Sequence, residues 1–438
     1  MSPIMILKLT KNTDPIWNQK FKNIKSVTPE IKRLISDMEE TIDITSAVGL
    51  AAPQVGIPLR LFVIRYRKLK EAFINPKIIS KSKEFHEYEE GCLSVPCSRG
   101  ALNRANTVEI EYLDLKGRKK RAKLSGYYAR ISQHEYDHLS STFYINRISD
   151  KNKLYTYKPI KIVFFGTSEY GALILKSLIG QKIVGEYEIS LVVTPPDKPA
   201  GRGKELKPSA VKNLANQFNL AVDTPNSLKN NPGFVSKLKK MKPDFLVLAS
   251  YGKIIPKVIL EIPTKYPLNI HPSLLPKYRG ASPISAAIQN GDTYTGGTVM
   301  VMNEKMDEGD LLAISRLKIG SKDTREALEG KLARLGANMI NQVLHLTTIN
   351  QLKPRSQNHN AATYTKPLEK EDGLINWEKP PENIERMIRA YYPWPGVWTR
   401  YNGKILKLLP NKMVQVEGKE PVKLEEFKQG HKDFTLNW

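Results

Sequence analysis

The sequence predicts an α+β domain, followed by an α/β domain built on a parallel sheet and then by a small β-rich domain. Three observations support this order. The chain has 438 residues, which suggests about three domains at roughly 150 residues each. Residues 1–150 combine helical periodicity with short strands that do not alternate regularly with helices. From residue 160 onward, apolar strand signals alternate with helical patterns, which is typical of a parallel α/β sheet.

The charge of the chain indicates a polyanionic partner. Lys and Arg number 68 against 44 Asp and Glu, which gives a formal net charge of +24 shared by both halves. Such an excess favours binding to nucleic acid or to a membrane surface. No apolar run approaches the roughly 18 residues of a membrane span, and the N-terminal residues lack a signal-peptide pattern. With only 2 cysteines, we expect a reducing compartment and a cytoplasmic protein that does not enter the membrane.

Within residues 1–150, periodicity predicts two helices and three short strands. The helices are expected at 28–44 and 125–140, and the strands at 59–65, 73–80 and 106–114. The polar, basic segment 151–159 is interpreted as a linker to the next domain.

The second of these helices carries a pattern that is typical of a metal site. His134 and His138 are one helical turn apart, so both imidazoles can reach one ion. Glu135 projects beside them and can act as a general base. Cys92, between a glycine and a proline, is a candidate third ligand. Taken singly, the histidines could belong to an ordinary charged helix face and Cys92 could be a small buried hydrophobic residue.

A third pattern decides between these interpretations. Residues 5–150 resemble the peptide deformylase family through three motifs in the family's order: Ala47-Val48-Gly49-Leu50-Ala51-Ala52-Pro53-Gln54, Glu90-Gly91-Cys92-Leu93-Ser94 and His134-Glu135-Tyr136-Asp137-His138. The resemblance implies Fe²⁺ as the ion, with Zn²⁺ or Ni²⁺ able to occupy the same site. Two positions depart from the family pattern, because Ala47 and Ser141 stand where glycine is usual. We expect these changes to reduce or alter the rate.

The resemblance also assigns roles to side chains around the ion. Cys92, His134 and His138 would be the metal ligands, and Glu135 the acid and base. The Gln54 side chain and the Leu93 backbone N–H would stabilise the oxyanion of the attacked formyl group. Residues Gly49 and Arg99 would hold the peptide substrate.

Residues 160–348 carry the strand and helix alternation of the α/β domain. Strand signals lie at 160–165, 189–193, 245–249 and 268–270, and a long helix is expected over 323–345. The loop that begins at Gly166 lacks the Gly-x-Gly-x-x-Gly fingerprint, so NAD is not expected.

A possible catalytic group follows one of these strands. Asn269 and His271 are two residues apart, so on a strand they face the same side, and Asp307 follows a later strand. Alone, His271 could equally be a buried core histidine. The combination resembles the folate-dependent formyltransferases, whose fold is Rossmann-like. That resemblance implies 10-formyltetrahydrofolate as donor, with Asn269 bound to the formyl oxygen and His271 with Asp307 moving the proton. Folate contacts are expected from Ser273, Leu274, Leu275 and Pro276.

The loop 194–208 indicates which amine is formylated. It is long, basic and rich in Pro and Gly, which by composition favours a solvated surface loop. It resembles the insertion loop of the methionyl-tRNA formyltransferase family, which enters the acceptor arm of initiator tRNA. By this resemblance Arg202, Lys204 and Lys207 would contact the tRNA. After a polar connector at 349–362, residues 363–438 resemble the same family's tRNA-binding domain, a small β-barrel.

The C-terminal domain is shorter than the family pattern. Only about 30 residues follow Leu409, so we expect a shortened β-barrel-like domain with exposed edges or a rearranged sheet. Our hypothesis is that the basic first half replaces lost tRNA-binding surface. The resulting interpretation is a bifunctional translation enzyme, expected to be a monomer, that acts on initiator methionyl-tRNA and on nascent formyl-peptides at the ribosome. The alternatives are one inactive half serving as an RNA or ribosome tether, a non-tRNA amine acceptor, and an artefact of joined reading frames.

Overall fold

Two separate sheet systems organise the chain. The computed structural model describes residues 7–45, 47–200, 205–377, 381 and 383–438. Contacts divide the chain into one unit of residues 1–159 with 176–188 and a second of residues 160–175 with 189–438. Among the helices of the described ranges, none is both long and apolar enough to cross a membrane.

Residues 7–157 form the α+β arrangement that the sequence predicts. The helices are α1 (Pro29–Thr45), α2 (Tyr127–His138) and α3 (Tyr144–Arg147). The strands are β1 (Gly49–Ala51), β2 (Leu61–Tyr66), β3 (Leu69–Lys81), β4 (Phe85–Cys92), β5 (Val95–Ala105), β6 (Thr107–Leu113), β7 (Lys119–Ser125) and β8 (Leu154–Thr156). Short 3-10 turns lie at Pro15–Asn18, Ala52–Val55 and Lys151–Lys153.

The strands make two antiparallel sheets, in the orders β1-β2-β3-β6-β7 and β4-β5-β8. Helix α2 buries Ile131 in the apolar cluster on the first sheet, against Phe62, Phe73 and Ile110. Part of the predicted linker belongs to the second sheet, because Tyr155 of β8 pairs with β5. The packed face of α2 thus fixes the helix that carries the two histidines.

The second unit is built on a seven-stranded sheet in the order β13-β10-β9-β14-β15-β17-β18. Its strands are β9 (Ile160–Gly166), β10 (Tyr187–Val193), β13 (Val222–Asp223), β14 (Phe245–Ala249), β15 (Tyr266–His271), β17 (Tyr294–Val301) and β18 (Leu311–Lys318). The helices are α4 (Glu169–Val184), whose residues from Lys176 onward are grouped with the first unit, α5 (Ala210–Gln217), α6 (Pro232–Met241), α7 (Lys257–Leu260), α8 (Pro283–Gln289) and α9 (Arg325–Thr348). Two short strands, β11 (Lys198–Ala200) and β12 (Glu205–Lys207), pair with each other in the loop after β10.

The sheet is mixed rather than wholly parallel. Strand β14 runs parallel to β9 and β15, whereas β17 and β18 are antiparallel additions at one edge. Helix α9 packs closely on the sheet through Gly336, where an added Cβ would lie 2.9 Å from Cγ2 of Ile270. Because β15 ends at His271, its polar residues meet the carboxyl edge where open α/β sheets bind ligands.

The C-terminal domain has an open sheet instead of a closed barrel. After β16 (Arg279–Gly280) pairs with β19 (Tyr364–Thr365), the chain forms α10 (Ile384–Tyr391) and the antiparallel strands β20 (Val397–Tyr401), β21 (Lys404–Leu409), β22 (Met413–Val416) and β23 (Val422–Lys423). Short 3-10 turns lie at His359–Ala361 and Glu371–Gly373. Among the described residues these four strands form a linear order.

The last residues cover this open sheet. Helix α11 (Leu424–Gly430) buries Phe427, and the tail beyond it buries Phe434. Phe434 stacks on Trp377 at 5.2 Å between ring centroids and meets Tyr401 edge-on. Residues 424–438 therefore form a helix and an apolar tail that bury aromatic side chains.

Candidate functional sites

Three potential metal ligands converge where β4 meets α2. Sγ of Cys92 and one ring nitrogen each of His134 and His138 all lie within 4.8 Å of one another. The distance from Cys92 Sγ to His138 Nε2 is 3.3 Å. One thiolate and two imidazoles fit a zinc or iron site with a further position left open. This donor set therefore fits a metal ion, as the sequence predicts.

A buried acid, which the sequence analysis did not identify, orients one of these histidines. Oε2 of Glu90 lies 2.8 Å from Nδ1 of His134, so the other ring nitrogen is left for an ion. Arg104 and Arg130 also donate to Glu90, at 2.6 Å each. Burial alone would raise the pKa of Glu90, but hydrogen bonds from His134 and Arg104 hold it well below its ordinary value. The carboxylate therefore stays charged and fixes the ring.

Glu135 is enclosed beside the ligands. It is buried, and its Oε2 atom has no hydrogen-bond partner among the described residues. Burial raises the pKa of Glu135 to about 7, in the range that suits proton transfer near neutral pH. Gly49 leaves room for this carboxylate, because an added Cβ would lie 2.5 Å from Glu135 Oε1.

Polar groups also surround the three candidate metal ligands. The Ala51 N–H donates to Gln54 Oε1 at 2.8 Å, so the Gln54 Nε2 group faces Cys92 Sγ at 3.5 Å. Arg99 has a buried Nε without a partner among the described residues. A cavity of 250 Å³ brings together most of the predicted site, namely Gly49, Gln54, Cys92, Leu93, Arg99, His134 and Glu135.

The two departures from the family pattern occupy different surroundings. Ala47 is among the residues that line the cavity. Ser141 lies in the turn after α2 with φ 52°, a left-handed conformation that glycine adopts more easily. The serine therefore strains a turn in which its own N–H donates to the backbone carbonyl of the ligand residue His138 at 3.2 Å.

In the second unit, Asn269, His271 and Asp307 form a connected group. Asn269 Nδ2 donates to Asp307 Oδ1 at 3.1 Å, and His271 Nδ1 is 3.6 Å from Asp307 Oδ2. His271 Nε2 lies 2.8 Å from the Tyr278 carbonyl oxygen. Because a carbonyl oxygen only accepts, Nε2 carries a proton, and the other ring nitrogen, Nδ1, faces the Asp307 carboxylate.

A cavity of 690 Å³ opens onto this group, a size suited to a cofactor-sized ligand. Asn269, His271 and Asp307 all line it. Sequence reasoning missed other lining residues, among them Tyr251, whose buried hydroxyl has no partner among the described residues, and the half-exposed Trp394. These two come from distant segments with no shared local motif, so spacing alone carried no signal for them.

Several predicted contacts lie elsewhere. The residues Ser273–Pro276 are not among those that line the cavity. They lie in a turn in which Ser273 Oγ donates to the Lys277 carbonyl at 2.6 Å. Arg202 and Lys204 lie outside the described residues, and Lys207 is exposed at the end of β12. All these assignments stay predictions.

Family models match three consecutive stretches of the chain. They are polypeptide deformylase at residues 6–154, formyl transferase at 160–344 and the formyl transferase C-terminal domain at 367–431. The methionyl-tRNA formyltransferase of Caldanaerobacter subterraneus subsp. tengcongensis is 42% identical over 60% of this chain and 84% of its own. That of Caldicellulosiruptor saccharolyticus is 41% identical over 60% and 82%.

Among solved structures, the peptide deformylase of Thermotoga maritima is 36% identical and covers 33% of this chain and 99% of its own, with a TM-score of 0.33. The fold and the two sites define an enzyme that joins a metal-dependent hydrolase domain to a formyl-transferring α/β domain. The chain belongs to the methionyl-tRNA formyltransferase family and carries a peptide deformylase domain ahead of it.

Proposed function

We propose that this chain both removes the formyl group from nascent formyl-methionyl peptides and formylates methionyl-initiator tRNA. The observation that carries the proposal is the presence of two full sets of reactive groups in one chain: the ligand cluster with Glu135, and the Asn269, His271 and Asp307 group. A tether would need neither set, so an inactive half is not favoured.

For deformylation, Cys92, His134 and His138 hold a divalent ion, which we propose is Fe²⁺, with Zn²⁺ or Ni²⁺ as substitutes. When bound, the ion supplies Lewis-acid chemistry. Glu135 accepts the proton of the attacking water and passes it to the departing amine.

Groups around the ion hold the peptide and its formyl oxygen. The Gln54 amide and the Leu93 N–H stabilise the negative charge that develops on this oxygen. Gly49 and Arg99 hold the peptide backbone beside it.

For formyl transfer, the methionyl amine attacks the formyl carbon of 10-formyltetrahydrofolate. Asn269 donates a hydrogen bond to the formyl oxygen as the carbon becomes tetrahedral. His271, stabilised by Asp307, accepts the proton of the amine. The bond from the formyl carbon to folate nitrogen then breaks, and that nitrogen takes up a proton. The turn Ser273–Pro276 is proposed to contribute to folate binding.

The proposed partners follow from these reactions. Initiator tRNA would contact Arg202, Lys204 and Lys207, and the peptide would reach the hydrolase site at the ribosome. We propose a cytoplasmic monomer with no membrane association.

Paired assays on purified full-length chain test this function. Formyl-Met-Ala-Ser peptide is supplied anaerobically with iron, and methionyl-tRNA is supplied separately with 10-formyltetrahydrofolate. Glu135→Ala is expected to abolish only deformylation, and His271→Ala only formyl transfer, so each variant is the control for the other. Activity in neither assay, or loss of both activities in one variant, would overturn the bifunctional proposal.

A further inference from the structure

The connector after α9 places one side chain against the loop of the transferase site. Gln357 is 5% exposed, although its neighbours in sequence are exposed. Its Nε2 group donates to the backbone carbonyls of Asp307 at 2.8 Å and of Gly309 at 2.7 Å. One amide thus bridges both ends of the short loop that carries the Asp307 carboxylate.

A buried arginine fixes which way this amide points. Arg279 is 1% exposed, and its guanidinium Nη2 donates to Gln357 Oε1 at 2.8 Å. A guanidinium only donates, so it must face the amide oxygen, and the NH₂ group must face the two carbonyls. Arg279 Nη1 in turn donates to the Tyr364 hydroxyl at 3.0 Å and lies 3.4 Å from Glu308 Oε1.

The loop needs this support because its backbone is unfavourable. Asp307 has φ 53°, which non-glycine residues rarely adopt. Gly309 has no space for a side chain, since an added Cβ would lie 1.8 Å from the Val301 carbonyl oxygen. Hydrogen bonds from Asn269 and the Gly280 N–H hold the carboxylate, at 3.1 and 2.8 Å, but they do not hold the backbone beneath it.

We propose that Gln357 is a positioning residue for formyl transfer, acting through the backbone of Asp307. The inference rests on the proposed transferase function. Gln357 is not among the residues that line the 690 Å³ cavity, so it acts without touching substrate. Its loss therefore changes the placement of Asp307 against His271 and leaves both substrate-binding surfaces intact.

The matched variants are Gln357→Met and Gln351→Met. Both lie in the connector, and Gln351 is exposed, so it is the control. A misplaced catalytic group costs roughly 10²-fold in rate. We therefore expect Gln357→Met to lower kcat of formyl transfer by about that factor, with KM for methionyl-tRNA and for the folate donor nearly unchanged. Thermal unfolding of Gln357→Met, compared with that of Gln351→Met, reports whether the second unit is intact.

A second variant separates positioning from general stability. Gln357→Glu keeps the shape and an acceptor for Arg279 but has no donor for the two carbonyls when ionised. It is expected to lose transfer as Gln357→Met does, with KM for both substrates again nearly unchanged. Combined with Asp307→Asn, Gln357→Met should cost little more than Asp307→Asn alone, because both act on one group.

The outcomes separate the two proposals. An active parent with full kcat in both Gln357 variants, or with additive losses in the double variant, overturns the positioning role. A parent that transfers no formyl group under any condition overturns the proposed function instead.

Discussion

Glu135 and Gly49 face each other in the hydrolase site with no spare room. The carboxylate is buried, and the position of a missing Cβ lies 2.5 Å from its Oε1 atom. We predict that Gly49→Ala displaces Glu135 and lowers kcat/KM of deformylation by roughly 10²-fold. Steady-state hydrolysis of a formyl-peptide measures the effect. Gly430→Ala, where no atom lies within 4 Å of the added Cβ, is the control, and equal activity of the two variants would refute the steric argument.

Ser141 gives a prediction on stability rather than on rate. Its φ of 52° is disfavoured for serine, so Ser141→Gly should raise the free energy of unfolding by about 0.5–1 kcal/mol. Urea denaturation followed by fluorescence measures this difference. Ser140→Gly is the control, since Ser140 lacks a positive φ and glycine there only adds freedom to the unfolded chain. A lower free energy of unfolding for Ser141→Gly would contradict the strain.

Sequence patterns predict individual site residues well where the reactive residues lie close together in the chain. His134, Glu135 and His138 share one helix, so their spacing predicts their convergence. The roles of Glu90 and Gln357 were missed because their hydrogen-bond partners are distant in the chain. Glu90 is 44 residues from His134, and Gln357 is 50 residues from Asp307. Their neighbours in sequence carry no sign of these hydrogen bonds, which only the fold creates.

Among the elements, α11 was the least predictable. Leu424-Glu425-Glu426-Phe427 has little strand character, and the sequence could not show that its apolar residues cover a sheet. By contrast, the short apolar run of β14 and the long helical pattern of α9 are predicted to within a few residues.

The covering role of α11 gives a prediction. Phe427 is 4% exposed and packs edge-on against Tyr401 and Phe434. Phe427→Ala should therefore cost about 3 kcal/mol of stability in the C-terminal domain. Hydrogen exchange of β20–β23 measures it locally. Phe85→Ala, at a residue 58% exposed, is expected to change stability by less than about 0.5 kcal/mol, and similar effects of the two changes would argue against the packing.

Over the whole molecule, the net charge of +24 is distributed across both enzymes. Strand β7 presents Lys119, Lys120 and Lys123 to solvent. If the first domain adds to tRNA binding, replacing the three by Ala should reduce the slope of log affinity against log salt by about 2–3. Titrations of tRNA over a range of salt concentrations measure the slope. Unchanged deformylation of a short peptide shows that the first domain is still folded. An unchanged salt slope would show that these lysines do not bind tRNA.

The hydrogen bonds from Gln357 also limit where segments can be exchanged between this chain and its relatives. The formyl transferase model ends at residue 344, and its C-terminal partner begins at residue 367. A crossover between relatives at about residue 350 would preserve both folds, yet the Asp307 loop would depend on an amide inherited from the other parent. Exchange at this apparent module boundary should therefore yield active hybrids only when the incoming connector supplies that amide.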